Sequence, residues 1–212
     1  MRKVLLLDYD GFIAKSYYSS ISKNKEEKDS PEVILNSLTK EAINKAKEYF
    51  NTNDIEVHKI VSGHTFKKDI FPSYKGNRKP DEGLGLFRDW VKEHIDVELA
   101  INMEADDLIC LYNKECDCLV ISDDKDLRYY NSIIGKINPE EDILTQDWMV
   151  MVDNQYVQMI TGDTIDGIKG IPGRGKVWAQ KYLDKNGYSL RCVIEAYKEN
   201  KISIDDCFKN LI

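Results

Sequence analysis

The chain has 212 residues, enough for one substantial domain with a hydrophobic core and a small appendage but not for two full domains. Its net charge of −7 argues against a protein that coats nucleic acid, although local basic patches remain compatible with that charge. The five cysteines are odd in number and show no CxxC pairing, which indicates reduced, intracellular thiols rather than disulfides or a zinc site.

Strands and helices alternate along the chain up to about residue 145. Short apolar runs predict strands at 4–7, 57–61, 97–101, 118–121 and 133–137. Helical spacing of apolar residues predicts helices at 31–49, 82–94 (with Leu86, Trp90 and Val91 inward) and 104–114, and from residue 146 the pattern is helical almost to the end. The alternation predicts an α/β fold with a mostly parallel central sheet flanked by helices, and ligands beyond the carboxyl ends of its strands.

Basic residues concentrate in two segments of this acidic chain. Residues 66–79 contain Lys67, Lys68, Lys75, Arg78 and Lys79 against the single acid Asp69. The second segment, 169–185, contains Gly170, Gly173 and Gly175 around Arg174 and Lys176. Lysine and arginine side chains attract phosphate, and the glycines of the second segment also let backbone N–H groups approach one at the start of a helix. Both segments are therefore predicted to contact nucleic acid.

Acidic residues recur where the predicted strands end. They are Asp8, then Glu104, Asp106 and Asp107, then Asp123, Asp124 and Asp126, and finally Asp163 and Asp166 in the stretch TGDTIDGIKGIPGRGK. Taken singly, each is better explained as an N-cap or first-turn residue of the next helix. Taken together, crowded carboxylates favour a divalent-metal site, for which Mg²⁺ is the preferred ion and Mn²⁺ a substitute.

Four motifs in this order resemble the signatures of the 5′ nuclease family. They are FPSYKGNRKP at 71–80, MEADDL at 103–108, ISDDKDL at 121–127 and TGDTIDGIKGIPGRGK at 161–176. That family includes flap endonucleases, the 5′ nuclease domain of bacterial DNA polymerase I and phage 5′→3′ exonucleases. The resemblance implies a PIN-like catalytic core at 1–145 and a helical region at 146–212 that binds DNA and completes the metal site.

The resemblance also implies a role for each matching residue. Lys75 and Arg78 would engage the scissile phosphate, and Tyr74 would stack on the terminal base. The acids matching metal positions are Asp8, Glu104, Asp106, Asp107, Asp124, Asp126, Asp163 and Asp166, whereas Asp123 falls where the family needs no acid. Water activated by divalent ions would attack phosphorus while cations stabilise the leaving oxygen.

GIKGIPGRGK resembles the helix-hairpin-helix element that holds duplex DNA through phosphates, without reading bases, often with a K⁺ ion on backbone carbonyls. The implied substrates are 5′ ends, flaps or nicks in DNA, together with RNA–DNA hybrids of replication primers. The expected protein is a monomer without a membrane span, in the cytoplasm, or in the host cytoplasm for a phage protein.

Two departures from the family pattern affect these expectations. The family has a further aspartate shortly before the YKGNR-like motif, but this chain offers Ser62 near that place, which predicts a weakened metal subsite. The segment between Arg78 and Glu104 is short for a helical arch, which predicts that long single-stranded flaps are not threaded.

Two alternatives remain open. A non-catalytic DNA-end-binding protein is compatible with the missing aspartate. A phosphatase of the haloacid-dehalogenase type is compatible with LLLDYDGFI, in which Asp8 would be the nucleophile and Asp10 the acid/base, with Ser122 and Asp163 in later motifs. The phosphatase interpretation leaves YKGNR, EADD and the glycine-rich stretch unexplained.

Overall fold

The computed structural model describes residues 2–22, 29–76, 78–79, 81–113, 117–124, 127, 133–137, 144–145 and 148–203. The chain forms two compact units. The sheet unit comprises Met1–Thr65 and Pro80–Gln146, and the helical unit comprises Phe66–Lys79 and Asp147–Ile212. Within the described residues, no helix is long and apolar enough to cross a bilayer.

The strands and helices predicted before residue 145 all occur in the predicted order. The strands are β1 (Lys3–Asp8), β2 (Glu56–Ser62), β3 (Glu98–Ala100), β4 (Asp117–Ile121), β5 (Ile133–Gly135), β6 (Leu144–Thr145), β7 (Gly162–Asp163) and β8 (Ile168–Lys169). The helices are α1 (Tyr9–Ile21), α2 (Pro31–Phe50), α3 (Lys67–Ile70), α4 (Glu82–His94), α5 (Ala105–Asn113), α6 (Trp148–Thr161), α7 (Lys176–Asn186) and α8 (Leu190–Glu199). Of the elements up to residue 145, α1, α3 and β6 occur in addition to the predicted ones.

The sheet unit contains a six-stranded sheet in the order β3-β2-β1-β4-β5-β6. The pairs β1–β2, β1–β4, β2–β3 and β4–β5 are parallel, and only β6 runs antiparallel to its neighbour β5. The predicted mostly parallel sheet is therefore confirmed. The chain passes from β1 to β2 and β3 on one side, and then crosses to β4 on the other side of β1.

Helices cover both faces of the sheet. Side chains alternate between the faces along a strand, and β1 has apolar residues on both. Leu5 and Leu7 of β1 pack with buried residues of α1, α2 and α4 in one apolar cluster. Val4 and Leu6 point to the opposite face and pack with α5. β1 is consequently buried on both sides, as its uninterrupted apolar sequence predicts.

Two helices differ from expectation. Helix α1, which was not predicted, follows β1 directly, and Gly11 within it has no Cβ and so leaves room for the Ile137 side chain, 3.0 Å from the ideal Cβ position. In α4, Leu86 was expected inward but is 68% exposed, because Phe87 and Val91 occupy the buried face.

The helical unit is built around a core between α6, α7 and α8. Ile160, Leu183 and Tyr197 are fully buried there, and the Tyr197 hydroxyl donates a hydrogen bond of 2.7 Å to the Met159 carbonyl oxygen. A short antiparallel pair, β7–β8, interrupts the predicted helical pattern between α6 and α7. Residues 66–79, including α3, form part of this unit.

The β7–β8 hairpin depends on glycines where two backbone segments nearly touch. An ideal Cβ on Gly170 would lie 2.1 Å from the Thr161 carbonyl carbon, and one on Gly162 would lie 2.2 Å from the Gly170 nitrogen. Gly162 also has a φ of +75°, in the left-handed region that favours glycine. By contrast, a Cβ on Gly175 would meet no atom within 4 Å.

We predict that Gly170→Ala destabilises the protein by about 2 kcal/mol or more, because the new methyl group must displace backbone rather than a flexible side chain. Gly175→Ala is the matched control. Its φ of −82° suits alanine and the new methyl group would meet no atom within 4 Å, so only the poorer N-cap should cost stability, by up to about 1 kcal/mol. Urea denaturation followed by circular dichroism measures both variants, and equal stabilities would contradict the proposed close packing.

Candidate metal centre and phosphate-contacting segment

The carboxyl ends of β1 and β4 meet where the strand order reverses direction. Asp8 is the last residue of β1, and Ser122 to Asp124 directly follow β4. The Ser122 hydroxyl donates to Asp8 Oδ2 at 2.6 Å and accepts the Asp124 backbone N–H at 2.9 Å. This reversal point is where open parallel sheets bind their ligands.

The Asp8 side chain is buried among other carboxylates. It is 8% exposed. Burial raises the pKa of Asp8 from 3.8 to about 7; the Ser122 hydrogen bond opposes that rise, and the negative charges of Asp10, Asp124 and Asp106 add to it. Three separate chain segments therefore bring negative charge to one place, which a cation would stabilise.

The start of α5 contributes a compact group of carboxylates. Ligand oxygens of Glu104, Asp106 and Asp107 all lie within 4.8 Å of one another. Asp107 Oδ2 accepts the Glu104 backbone N–H at 3.1 Å, and Asp106 Oδ1 accepts the Asp107 N–H at 2.8 Å. The acids thus serve as first-turn residues of the helix and also form a set of hard oxygen donors that fits a divalent cation.

Asp10, which sequence reasoning did not include among the metal ligands, has partners of its own. It pairs with the Arg88 guanidinium, and its Oδ2 accepts the Ser62 backbone N–H at 2.9 Å. Both carboxylate oxygens of Asp10 are therefore engaged by other groups of the protein. This geometry disfavours the acid/base role that the phosphatase interpretation gives to Asp10.

Asp123 and Asp126 complete the acidic stretch after β4. Asp123 forms ion pairs with Lys15 at 3.3 Å and Lys136 at 3.8 Å, and it accepts the Ile137 backbone N–H at 3.2 Å. These contacts give Asp123 a structural role. Asp126 lies outside the described residues, so its place in the metal set stays a prediction.

In the helical unit, Asp166 holds the segment that contains the predicted phosphate-contacting residues. Its carboxylate accepts hydrogen bonds from Arg78 Nη2 at 2.7 Å and from the Tyr74 hydroxyl at 3.2 Å. Its backbone carbonyl accepts the Lys75 N–H at 2.9 Å. Lys75 itself has a φ of 56°, an uncommon conformation for a lysine that these surrounding contacts maintain.

The Tyr74 ring is not open for stacking on a base in this conformation. Tyr74 is 5% exposed, and the ammonium groups of Lys75 and Lys67 lie 5.0 and 5.9 Å from its ring centre. Lys67, expected to contact DNA, is itself buried beside this ring, whereas Lys68 and Lys79 are exposed. Contact of Tyr74 or Lys67 with DNA stays a prediction, and it requires these buried side chains to become exposed.

Asp163 shapes the turn that carries Asp166. Its Oδ1 accepts the backbone N–H groups of Ile165 at 2.8 Å and Asp166 at 3.3 Å, and Gln158 donates to its Oδ2 at 3.2 Å. The predicted metal ligands therefore fall into two sets. Asp8, Glu104, Asp106, Asp107 and Asp124 belong to the sheet unit, whereas Asp163 and Asp166 belong to the helical unit.

The glycine-rich stretch before α7 lines a cavity of about 720 Å³ in the helical unit. Gly173, with a φ of +72°, and Gly175 lie on it, and an added Cβ at either would meet no atom within 4 Å. Arg174 hydrogen-bonds Asn200 Oδ1 at 2.9 Å and lies 4.7 Å from the Trp178 ring centre. Gly170 also lines the cavity, but an added Cβ there would meet backbone atoms; Lys176 begins the helix.

Comparison with known proteins identifies the class to which this fold and site belong. The sequence model described as 5′-3′ exonuclease, N-terminal resolvase-like domain, matches residues 3–131. The chain belongs to this family, which confirms the resemblance to 5′ nucleases.

Two curated relatives are DNA polymerase I of Rhizobium leguminosarum, 32% identical over 163 residues, and DNA polymerase I of Mycobacterium tuberculosis (strain H37Rv), 30% identical over 159 residues. These alignments cover 66% and 64% of this chain but only 16% and 17% of those proteins. The chain thus corresponds to a small part of these relatives.

Solved structures share the fold at low sequence identity. The D15 protein of bacteriophage T5, co-crystallised with metal ions, has a TM-score of 0.71 and 16% identity, covering 100% of this chain and 88% of that chain. The catalytic core of Rad2 in complex with DNA has a TM-score of 0.53 and 15% identity, covering 94% of this chain and 65% of that chain. The α/β fold is accordingly the PIN-like fold of 5′ nucleases.

We predict that Asp8→Asn stabilises the metal-free protein, and more so at pH 8 than at pH 5. Between pH 4 and 7 the unfolded chain releases the Asp8 proton while the folded chain retains it, so stability falls as the pH rises through this range. Asparagine removes this cost, and the gain at pH 8 should exceed that at pH 5 by roughly 2–3 kcal/mol. Urea denaturation in EDTA at both pH values measures the effect, and a loss of stability at pH 8 would contradict it.

We predict that Asp166→Ala exposes residues 71–79 to trypsin, because Arg78 and Tyr74 in this segment lose their hydrogen bonds to the Asp166 carboxylate. Initial cleavage after Lys75 and Arg78, measured by mass spectrometry, should accelerate several-fold. Asp184→Ala is the matched control, since Asp184 contacts Gln180 and Tyr188 instead. Equal cleavage rates in the two variants would show that Asp166 does not anchor the segment.

Proposed function

We propose that the protein is a divalent-metal-dependent 5′ nuclease that hydrolyses phosphodiester bonds at 5′ ends, flaps or nicks in DNA. The observation that carries this proposal is the convergence of Asp8, Asp106 and Asp124 at one end of the sheet in a member of the 5′-3′ exonuclease family. Mg²⁺ is the preferred ion, because it binds few carboxylates and bridges to phosphate, and Mn²⁺ substitutes for it.

Carboxylates of the sheet unit would hold the ion. Glu104, Asp106 and Asp107 provide donors from one helix start, while Asp8 and Asp124 provide donors from two strand ends. A bound divalent ion supplies Lewis acidity toward water and the scissile phosphate. Ser122 orients Asp8 through its hydroxyl group and at the same time fixes the backbone of Asp124.

Cationic side chains of the helical unit would engage the scissile phosphate. The guanidinium of Arg78 is half exposed beside Asp166 and can form paired hydrogen bonds to a phosphate. Lys75 provides a second positive charge in the same segment. Rearrangement of this segment on substrate binding would be needed before Tyr74 could stack on a terminal base.

The glycine-rich stretch and the start of α7 would hold the duplex. The N-terminus of α7 offers backbone N–H groups and positive charge, which bind phosphates favourably; the residues are Gly173, Arg174, Gly175 and Lys176. Such contacts select structure rather than base sequence. The proposal includes a K⁺ ion bound to backbone carbonyls of the hairpin. It also includes action as a monomer and the removal of RNA primers from RNA–DNA hybrids during replication.

We predict that the wild-type protein releases short 5′-labelled products from nicked, blunt or flapped duplexes in Mg²⁺, and that Asp124→Asn lowers the rate at least about 100-fold. DNA binding by this variant should be retained or tightened, because repulsion of the phosphates decreases. Asp123→Asn is the matched control, since the neighbouring Asp123 pairs with Lys15 and Lys136. It should retain cleavage.

Other outcomes identify the alternatives. Structure-dependent DNA binding without any cleavage would indicate a DNA-end-binding protein. Turnover of a generic phosphatase substrate, abolished by Asp8→Asn, would indicate the phosphatase. Undiminished DNA cleavage by Asp124→Asn would refute the assignment of Asp124 to the metal site.

A further inference from the structure

Ser62 links three elements of the sheet unit at the end of β2. Its backbone N–H donates to Asp10 Oδ2 in the first turn of α1, at 2.9 Å. Its Oγ accepts the backbone N–H of Ala105, the first residue of α5, at 2.9 Å. One serine therefore connects α1, β2 and α5 through two hydrogen bonds of normal length.

The bond to Ala105 completes the start of the helix that carries the acidic group. The first N–H groups of a helix lack partners within the helix and need acceptors from elsewhere. Asp107 accepts the N–H of Glu104, whereas the next N–H, that of Ala105, is accepted by Ser62 of β2. The position of Glu104, Asp106 and Asp107 is thereby coupled to the sheet rather than to the helix alone.

Ser62 has little freedom to move in this position. It pairs with Ala100 in the parallel register of β2 and β3. The next residue is Gly63, where an ideal Cβ would lie 2.2 Å from the Ala100 carbonyl oxygen. A rigid strand end thus presents the hydroxyl group at a fixed point.

The opposite side of Ser62 is anchored by an ion pair. Asp10 pairs with Arg88 of α4, in addition to accepting the Ser62 N–H. The Asp10 charge is consequently compensated by a protein cation, and its carboxylate supports Ser62 without joining the acidic group of α5. Arg88, Asp10 and Ser62 form a connected polar chain from α4 to the start of α5.

We infer that Ser62 is a positioning residue of the proposed metal centre, and that its hydroxyl group sets the location of the α5 carboxylates relative to the end of β1. This role rests on the proposed function, because it concerns the same divalent ion. Residues that orient metal ligands through hydrogen bonds typically change metal affinity about 10–100-fold when removed. Loss of the Ser62 hydroxyl leaves the Ala105 N–H without its acceptor and releases the helix start.

Mn²⁺ binding in the absence of DNA, measured by electron paramagnetic resonance of free Mn²⁺, tests this role. We expect Ser62→Ala to weaken Mn²⁺ binding about tenfold, and Ser62→Thr, which retains a hydroxyl group, to restore it. The matched control is Ser16→Ala. Ser16 is also in the sheet unit, and its hydroxyl donates within α1 to the Phe12 carbonyl oxygen at 2.8 Å. The control should bind Mn²⁺ like the wild type.

Each result decides between distinct conclusions. Wild-type affinity in Ser62→Ala would overturn the positioning role while leaving the metal centre intact. Equal weakening in Ser62→Ala and Ser16→Ala would also overturn it, since the effect would then be general destabilisation. Absence of Mn²⁺ binding by the wild type would overturn the metal centre itself. If Ser62→Ala does not fold, Ser62→Cys, a weaker acceptor of similar size, replaces it and should show an intermediate loss.

Discussion

The burial of the Asp8 carboxylate is the constraint that organises the acidic end of the sheet unit. It sits at the end of the central strand, next to β2 and β4, and other carboxylates raise its pKa further beyond the effect of burial. Apolar clusters on both faces of the sheet hold the strand ends in register, so the charges cannot relieve their repulsion by moving apart. The fold therefore holds these carboxylates in an arrangement that a bound cation would stabilise.

Much of this arrangement could be predicted from the sequence. Short apolar runs ending in acids predict parallel strands, and parallel strands bring their carboxyl ends to one edge, which is why Asp8 and Asp124 were expected together. The hydroxyl groups of Ser62 and Ser122 could not be identified in this way. Serines are common at strand ends and in the loops that follow them, and only the strand order shows which residues they link.

In the helical unit, contacts between residues far apart in sequence could not be predicted from the motifs. The motif gives Tyr74, Lys75 and Arg78 roles toward the substrate. In the structure Asp166, which lies 88 residues from Arg78, holds Arg78 and Tyr74 through its carboxylate. A motif assigns a role to each residue separately and contains no information about pairs so distant in sequence. Gly170 is similar, because its sequence context suggested a phosphate contact while the structure shows a backbone packing requirement.

The most direct test of the account is calorimetric titration of the protein with Mg²⁺ at pH 8 in the absence of DNA. If the carboxylates at the ends of β1 and β4 and at the start of α5 form a metal centre, the wild type binds Mg²⁺ saturably, and Asp8→Asn binds it at least about tenfold more weakly. Saturable binding of equal affinity in both proteins, or no binding by the wild type, would contradict the central claim.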